Sequence, residues 1–147
     1  MAIEKGVVKK KIKNLILDVD GVLTDGKFHY TAEGKVMKVF GPDDSDGLHL
    51  LKDKLNIHMI SGDKRGFPIT KKRIDDMGFP IDLVSTFERV QWMKSRFNPE
   101  ETIYIGDGIF DVLVFQSVAY SIAPANAMEI TKQKADFVTT VNGGGIL

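Results

Sequence analysis

The sequence contains no cysteine, so disulfides and thiolate metal sites are excluded outright. It carries no net charge either: 20 Lys and Arg balance 20 Asp and Glu. The charges are spread along the chain, which gives no global reason to expect a nucleic-acid partner. No run of about 18 apolar residues occurs, the length a membrane span needs. The N-terminus also lacks the apolar stretch of a signal peptide. Membrane spanning and export are therefore not expected, and a soluble cytoplasmic protein is. Linkers, internal repeats and low-complexity tracts are missing as well. The chain has 147 residues, enough to bury a core unaided, and residues 1–147 are expected to form one domain. The one basic run, Lys9-Lys10-Lys11 with Lys13, precedes the first strand and reads as a solvated lead-in to it.

The apolar residues present fall in a regular order. Strand-like runs at Asn14–Leu17, Ile57–Ile60, Thr102–Ile105 and Val118–Ile122 alternate with helix-like segments. Continuous apolar runs of this kind suit strands buried on both faces. The alternation predicts an α/β fold, a three-layer Rossmann-like parallel sheet with helices on both faces. Helices are expected over Gly47–Lys54 with Asp46 as N-cap, over Thr70–Met77 ended by Gly78, from Thr86 through Trp92, Met93 and Phe97, and from Ala127 to Lys134. After the first strand, residues 27–40 alternate β-formers around Glu33-Gly34, which predicts a β-hairpin insertion. Gly143-Gly144-Gly145 reads as a flexible tail.

Chemistry concentrates at the ends of the strand-like runs. Leu15-Ile16-Leu17 leads straight into Asp18-Val19-Asp20-Gly21, and Ile103-Tyr104-Ile105 leads into Gly106-Asp107-Gly108-Ile109-Phe110-Asp111. Ligands of open α/β sheets bind at the carboxyl ends of the strands, and two-residue spacing lets Asp18 and Asp20 lean toward one site. Four carboxylates at two strand tips suggest a hard-cation site. A third tip, Ile60-Ser61-Gly62, offers a hydroxyl and backbone donors to an anion, with no bulky side chain in the way. His29, His49 and His58 lack metal-ligand spacing and read as structural. Trp92 and Phe97 read as core, and Asp43, Asp44 and Asp46 as acids suited to a helix N-terminus.

In this order, these motifs resemble the haloacid dehalogenase superfamily of phosphohydrolases over nearly the whole chain. The longer match Asp18 to Gly26, DVDGVLTDG, with the hairpin and Asp46-Gly47, resembles its capless branch of octulosonate 8-phosphate and sialic-acid 9-phosphate phosphatases. The resemblance implies Asp18 as nucleophile, Asp20 as acid and base, and Ser61 with Gly62 as phosphate-binding residues. It further implies Mg2+ held by Asp18, Asp107 and Asp111, with Asp20 lending its backbone carbonyl. Backbone N–H groups near Val19, Asp20 and Gly62 are expected to face the phosphoryl oxygens.

Two positions depart from the pattern. Where the family has a lysine, Arg89 stands, a planar fork on a longer arm. Arg89 substitutes for it, or Lys64 reaches in from the Ser61 loop, or the site is weakened. Where close relatives have Thr-Gly-Arg, this chain has Ser61-Gly62-Asp63, so Lys64 or Arg65 would have to supply any cation to the substrate. The expected substrate is a sugar-acid phosphate. The alternative is a catalytically weakened regulatory or assembly domain serving a sugar-acid cytidylyltransferase. Phe28, Tyr30, Val36, Val39 and Phe40 give the hairpin an apolar surface, and the resemblance implies a homotetramer built through it.

Overall fold

The structure, a computed structural model, describes residues 11–147, so Lys9 and Lys10 of the basic run lie outside it. Six strands form one parallel sheet: β1 (Asn14–Asp18), β4 (Asn56–Ser61), β5 (Ile81–Leu83), β6 (Thr102–Ile105), β7 (Tyr120–Ala123) and β8 (Phe137–Val138). Their spatial order is β5-β4-β1-β6-β7-β8. The chain works outward from β1 through β4 to β5, then crosses back to lay β6 on the other side of β1. That reversal between β1 and β6 opens a crevice at their carboxyl ends, the place where such sheets bind ligands.

Side-chain alternation sorts the strands between two cores. Leu15, Leu17, Met59, Ile103 and Ile105 pack on one face beneath α1 (Asp43–Leu51) and α2 (Phe67–Met77), through Leu48 and Ile74. Ile16, Ile60 and Tyr104 pack on the other beneath α3 (Arg89–Arg96) and α4 (Asp111–Phe115), through Met93, Val114 and Phe115. Asp18 has the parity of Ile16, so its side chain emerges on the α3 and α4 side. Parity thus chooses its neighbours.

Several boundaries differ from the sequence expectation. The first helix begins at Asp43, directly after Pro42, and Asp46 lies within its first turn instead of capping it. Proline suits a helix start, and three acids in that turn complement the positive end of the helix dipole. A turn, Glu88 N–H to Ser85 O, precedes α3, which starts at Arg89 and not Thr86. The last helix, α5, spans Glu129–Lys134. β7 starts at Tyr120 because the Ala119 amide turns to Pro99 O and Thr102 O before the ladder opens. The second helix does end at Gly78, in the left-handed conformation at φ 83°. Strands β5 and β8 and helix α4 are too short to show a period.

The hairpin is present as β2 (His29–Thr31) and β3 (Gly34–Met37), with its base clamped by a bridge between Thr24 and Phe40. Phe28, Tyr30, Val36, Met37 and Val39 are exposed, whereas Phe40 turns inward against the first core. The glycine run is not a loose tail. The Gly143 amide donates to Asn126 Oδ1 at 3.0 Å and the Gly144 amide to Val22 O at 2.9 Å. A Cβ on Gly143 would lie 2.0 Å from Gly21 O, so only glycine lets this strap close over the loop that follows β1. Among the described residues no helix is long and apolar enough to cross a membrane.

Candidate active site

A cleft of about 340 Å³ opens at the carboxyl ends of β1, β4 and β6, lined by Asp18, Asp20, Gly62, Asp63, Arg89 and Asp107 with Gly26, Phe28, Lys35 and Thr86. Asp18 ends β1 and is buried. The next turn carries Asp20 and Gly21, the latter at φ 85°, where a Cβ would fall 1.8 Å from Asp107 Oδ2. Conformation and space both demand glycine there, and its absence of side chain lets the β1 and β6 loops approach. A second cleft of about 350 Å³, at the start of β4, is lined by no carboxylate.

Arg89, buried, settles its own place. Its Nη1 donates to Asp18 Oδ2 at 2.8 Å and to Asp111 Oδ1 at 2.7 Å. The guanidinium lines the cleft beside Asp18, whereas Lys64 lies exposed outside the cleft lining. Burial works against the charge of Arg89, but Asp18, Tyr104 and Asp111 outweigh it and hold the group protonated. Tyr104 donates to Asp111 Oδ1 at 2.5 Å, and the amides of Asp107 and Gly108 donate to Asp111 Oδ2 at 3.0 and 2.9 Å. With both oxygens so fully engaged, Asp111 positions Arg89 and the β6 loop.

Asp18, Asp107 and Asp111 each present a carboxylate oxygen, all within 4.8 Å of one another. One guanidinium cannot neutralise three acids. Burial, then the charge of Asp111, pushes Asp18 well above the usual carboxylate range, and the same two causes lift Asp107 to about 7. Clustered hard oxygens short of two positive charges fit a divalent cation such as magnesium. The Asp20 carboxylate is not part of this cluster, so any share it has in holding a cation runs through its backbone.

The Asp20 side chain belongs to a second set of contacts, which the sequence did not announce. Lys38 Nζ, fully enclosed, donates to Asp20 Oδ1 at 2.6 Å and Thr70 Oγ1 at 2.7 Å and lies 2.9 Å from Asp63 Oδ2. Ser61 Oγ donates to Asp20 Oδ2 at 2.7 Å and accepts from the Asp63 amide at 3.2 Å. Asp20 is thereby gripped at both oxygens. Lys35 Nζ pairs with Asp63 Oδ1 at 2.5 Å. Although burial opposes it, hydrogen bonds from Lys35, Lys38 and the Gly66 amide hold Asp63 down at about 2. Of the expected backbone donors, the Val19 amide is committed to Ile60 O at 2.9 Å, which leaves those of Asp20 and Gly62. Gly62 is close-packed: a Cβ there would sit 3.0 Å from Arg89 Nη2.

Sequence reading missed Lys35, Lys38, Phe28, Thr70 and Tyr104. Two signals were available: lysines inside an otherwise apolar hairpin arm, Lys35-Val36-Met37-Lys38, and a tyrosine inside a buried strand, whose hydroxyl needs a partner.

Residues 91–146 match the family model described as haloacid dehalogenase-like hydrolase. The chain is 36% identical over 141 residues to a 3-deoxy-D-manno-octulosonate 8-phosphate phosphatase of Haemophilus influenzae, covering 92% of this chain and 77% of that one. The cobalt-bound structure of the Haemophilus influenzae phosphatase superposes with a TM-score of 0.81 at 36% identity, covering 91% and 81% of the two chains. The Moraxella catarrhalis phosphatase, solved with a magnesium ion, a phosphate ion and a KDO molecule, superposes with a TM-score of 0.78 at 29% identity over 90% and 79%.

Proposed function

The chain belongs to the haloacid dehalogenase-like hydrolases and is a phosphatase, and within that family we propose that it hydrolyses a phosphorylated sugar acid with Mg2+ as cofactor. Octulosonate 8-phosphate leads, as the substrate named for the similar Haemophilus protein, with nonulosonate 9-phosphates of the sialic-acid type beside it. The observation that carries the reading is the division of labour in the cleft: Asp18 lies against Arg89 in a cation-seeking group, while Asp20 is held separately by Lys38 and Ser61.

Asp18 and Asp107 would hold the cation by carboxylate and Asp20 by backbone carbonyl, with Asp111 behind them. Bound magnesium offsets the repulsion between carboxylate and phosphate. Asp18 attacks phosphorus as the ester bond breaks, and Asp20, entering this step in the protonated form that the resemblance assigns to the general acid, gives that proton to the departing oxygen. Asp20 then takes a proton from the water that attacks the aspartyl-phosphate, releasing inorganic phosphate and restoring Asp18. Arg89 fixes the plane of the Asp18 carboxylate throughout. The amides of Asp20 and Gly62 are the donors offered to phosphoryl oxygens, and Ser61, whose one hydroxyl proton goes to Asp20, joins them only by releasing that carboxylate.

The exposed apolar face of the hairpin supports a homotetramer in which neighbouring subunits cover the clefts. A clean monomer by light scattering would contradict that assembly. The activity is tested by phosphate release from octulosonate 8-phosphate, sialic-acid 9-phosphate and common hexose phosphates, with magnesium and with chelator. Magnesium-dependent turnover of a sugar-acid phosphate is expected. Release from none of them would overturn the reading in favour of a regulatory domain.

A further inference from the structure

We propose that Lys35, supplied by the hairpin, is the residue that recognises the carboxylate of the substrate; the inference rests on the sugar-acid reading above. A sugar-acid phosphate carries two anionic ends. One goes to the acidic floor of the cleft with the cation held there, and the other needs a charged donor of its own.

Two cations line the cleft, Arg89 and Lys35. Arg89 belongs to the acidic floor at the phosphate end, where its Nη1 is shared between Asp18 and Asp111 although its buried Nε has no partner. Lys64 and Arg65, the residues expected to replace the missing arginine, are exposed and outside the lining. Lys35 lies 3.7 Å from the centroid of the Phe28 ring, another lining residue, which seats its ammonium against an aromatic face at the cleft wall. A compact ammonium on a flexible stem can turn from one carboxylate to another.

Its present partner can release it. Asp63 keeps Lys38 at 2.9 Å and the Gly66 amide at 3.1 Å when Lys35 turns away. Lys38 has no such freedom, because its enclosed ammonium also holds Asp20 and Thr70. Within this group of two lysines and two aspartates, Lys35 is the exchangeable member. Asp63 acts as its placeholder until substrate arrives. The hairpin therefore serves the cleft of its own chain.

The test compares kcat/KM for octulosonate 8-phosphate with that for glucose 6-phosphate, which has no carboxylate, in the parent, Lys35→Met, Lys35→Arg and Asp63→Asn. Reading the ratio removes any loss that affects both substrates alike. Lys35→Met should cut the parent's preference for the acid about tenfold or more, mainly through KM, as expected for a lost charge-assisted hydrogen bond. Lys35→Arg should keep most of the preference, and Asp63→Asn, which removes the competitor, should lower KM for the acid. An unchanged ratio in Lys35→Met, or no effect of Asp63→Asn on that KM, overturns the inference while the sugar-acid reading stands. A parent with no preference for the acid overturns that reading and this inference with it.

Discussion

The cleft has two halves built on one logic and left in opposite electrostatic states. Around Arg89, three aspartates face a single guanidinium, so the group is short of positive charge. Around Lys38, two lysines face Asp20 and Asp63 and the charges balance. The difference separates two tasks. The unbalanced half, where Asp18 and Asp107 are both raised by burial and repulsion, seeks a cation from solution. The balanced half needs nothing from outside and fixes the direction of Asp20. A site balanced throughout would have no charge reason to take up a metal, and one unbalanced throughout would leave its acid unplaced.

Substitutions of the two reacting aspartates, one from each half, should have the largest effects, followed by loss of Arg89 from the first half. Asp18→Asn removes the nucleophile, and phosphate release should fall to the uncatalysed level with the fold retained, measured by single-turnover release and circular dichroism. Asp20→Asn removes proton transfer and should cost about 10²–10⁴-fold in kcat. Arg89→Met strands Asp18 and Asp111 against each other and should destabilise the metal-free protein by about 3 kcal/mol in urea unfolding, an effect that saturating magnesium should reduce. In the rest of the second half the loss is one of placement. Lys38→Met leaves Asp63 with Lys35 but frees one oxygen of Asp20, and kcat should drop by up to about 100-fold with little change in KM for phosphate esters lacking a carboxylate.

The smallest effect is on pH dependence, and it separates the halves by sign. Asp107, raised to about 7 without metal, keeps a proton in the folded state that the unfolded chain has already lost above about pH 4. Its contribution is present below about 4 and is lost as pH rises toward 7, so the Tm of chelated protein should fall across that window. Asp107→Asn should flatten the slope. Asp63, held at about 2, works the other way, supporting stability above about pH 4 and losing it as pH falls toward 2.

The two halves also differed in how far they could be read from sequence. Asp18, Asp107 and Asp111 follow continuous apolar runs, so strand ends and acids announced each other, and the parallel sheet came from the same runs. Arg89 was placed by resemblance alone, standing where the family has a lysine. Lys35 and Lys38 come from an insertion whose apolar residues drew attention to assembly, and their partners Asp63 and Thr70 lie in a loop and inside α2. Contacts across 25 or more residues between a hairpin and a helix leave no local period. The glycine strap was misread for the same reason, since its partners Gly21, Val22 and Asn126 are distant in the chain.

The charge imbalance is tested most directly by calorimetric titration of magnesium into the parent, Asp107→Asn and Asp63→Asn proteins at fixed pH. One ion per chain is expected to bind the parent, with binding lost in Asp107→Asn and kept in Asp63→Asn. No binding to the parent, or equal loss in both variants, would contradict the division of the cleft into a cation-seeking half and a self-neutralised one.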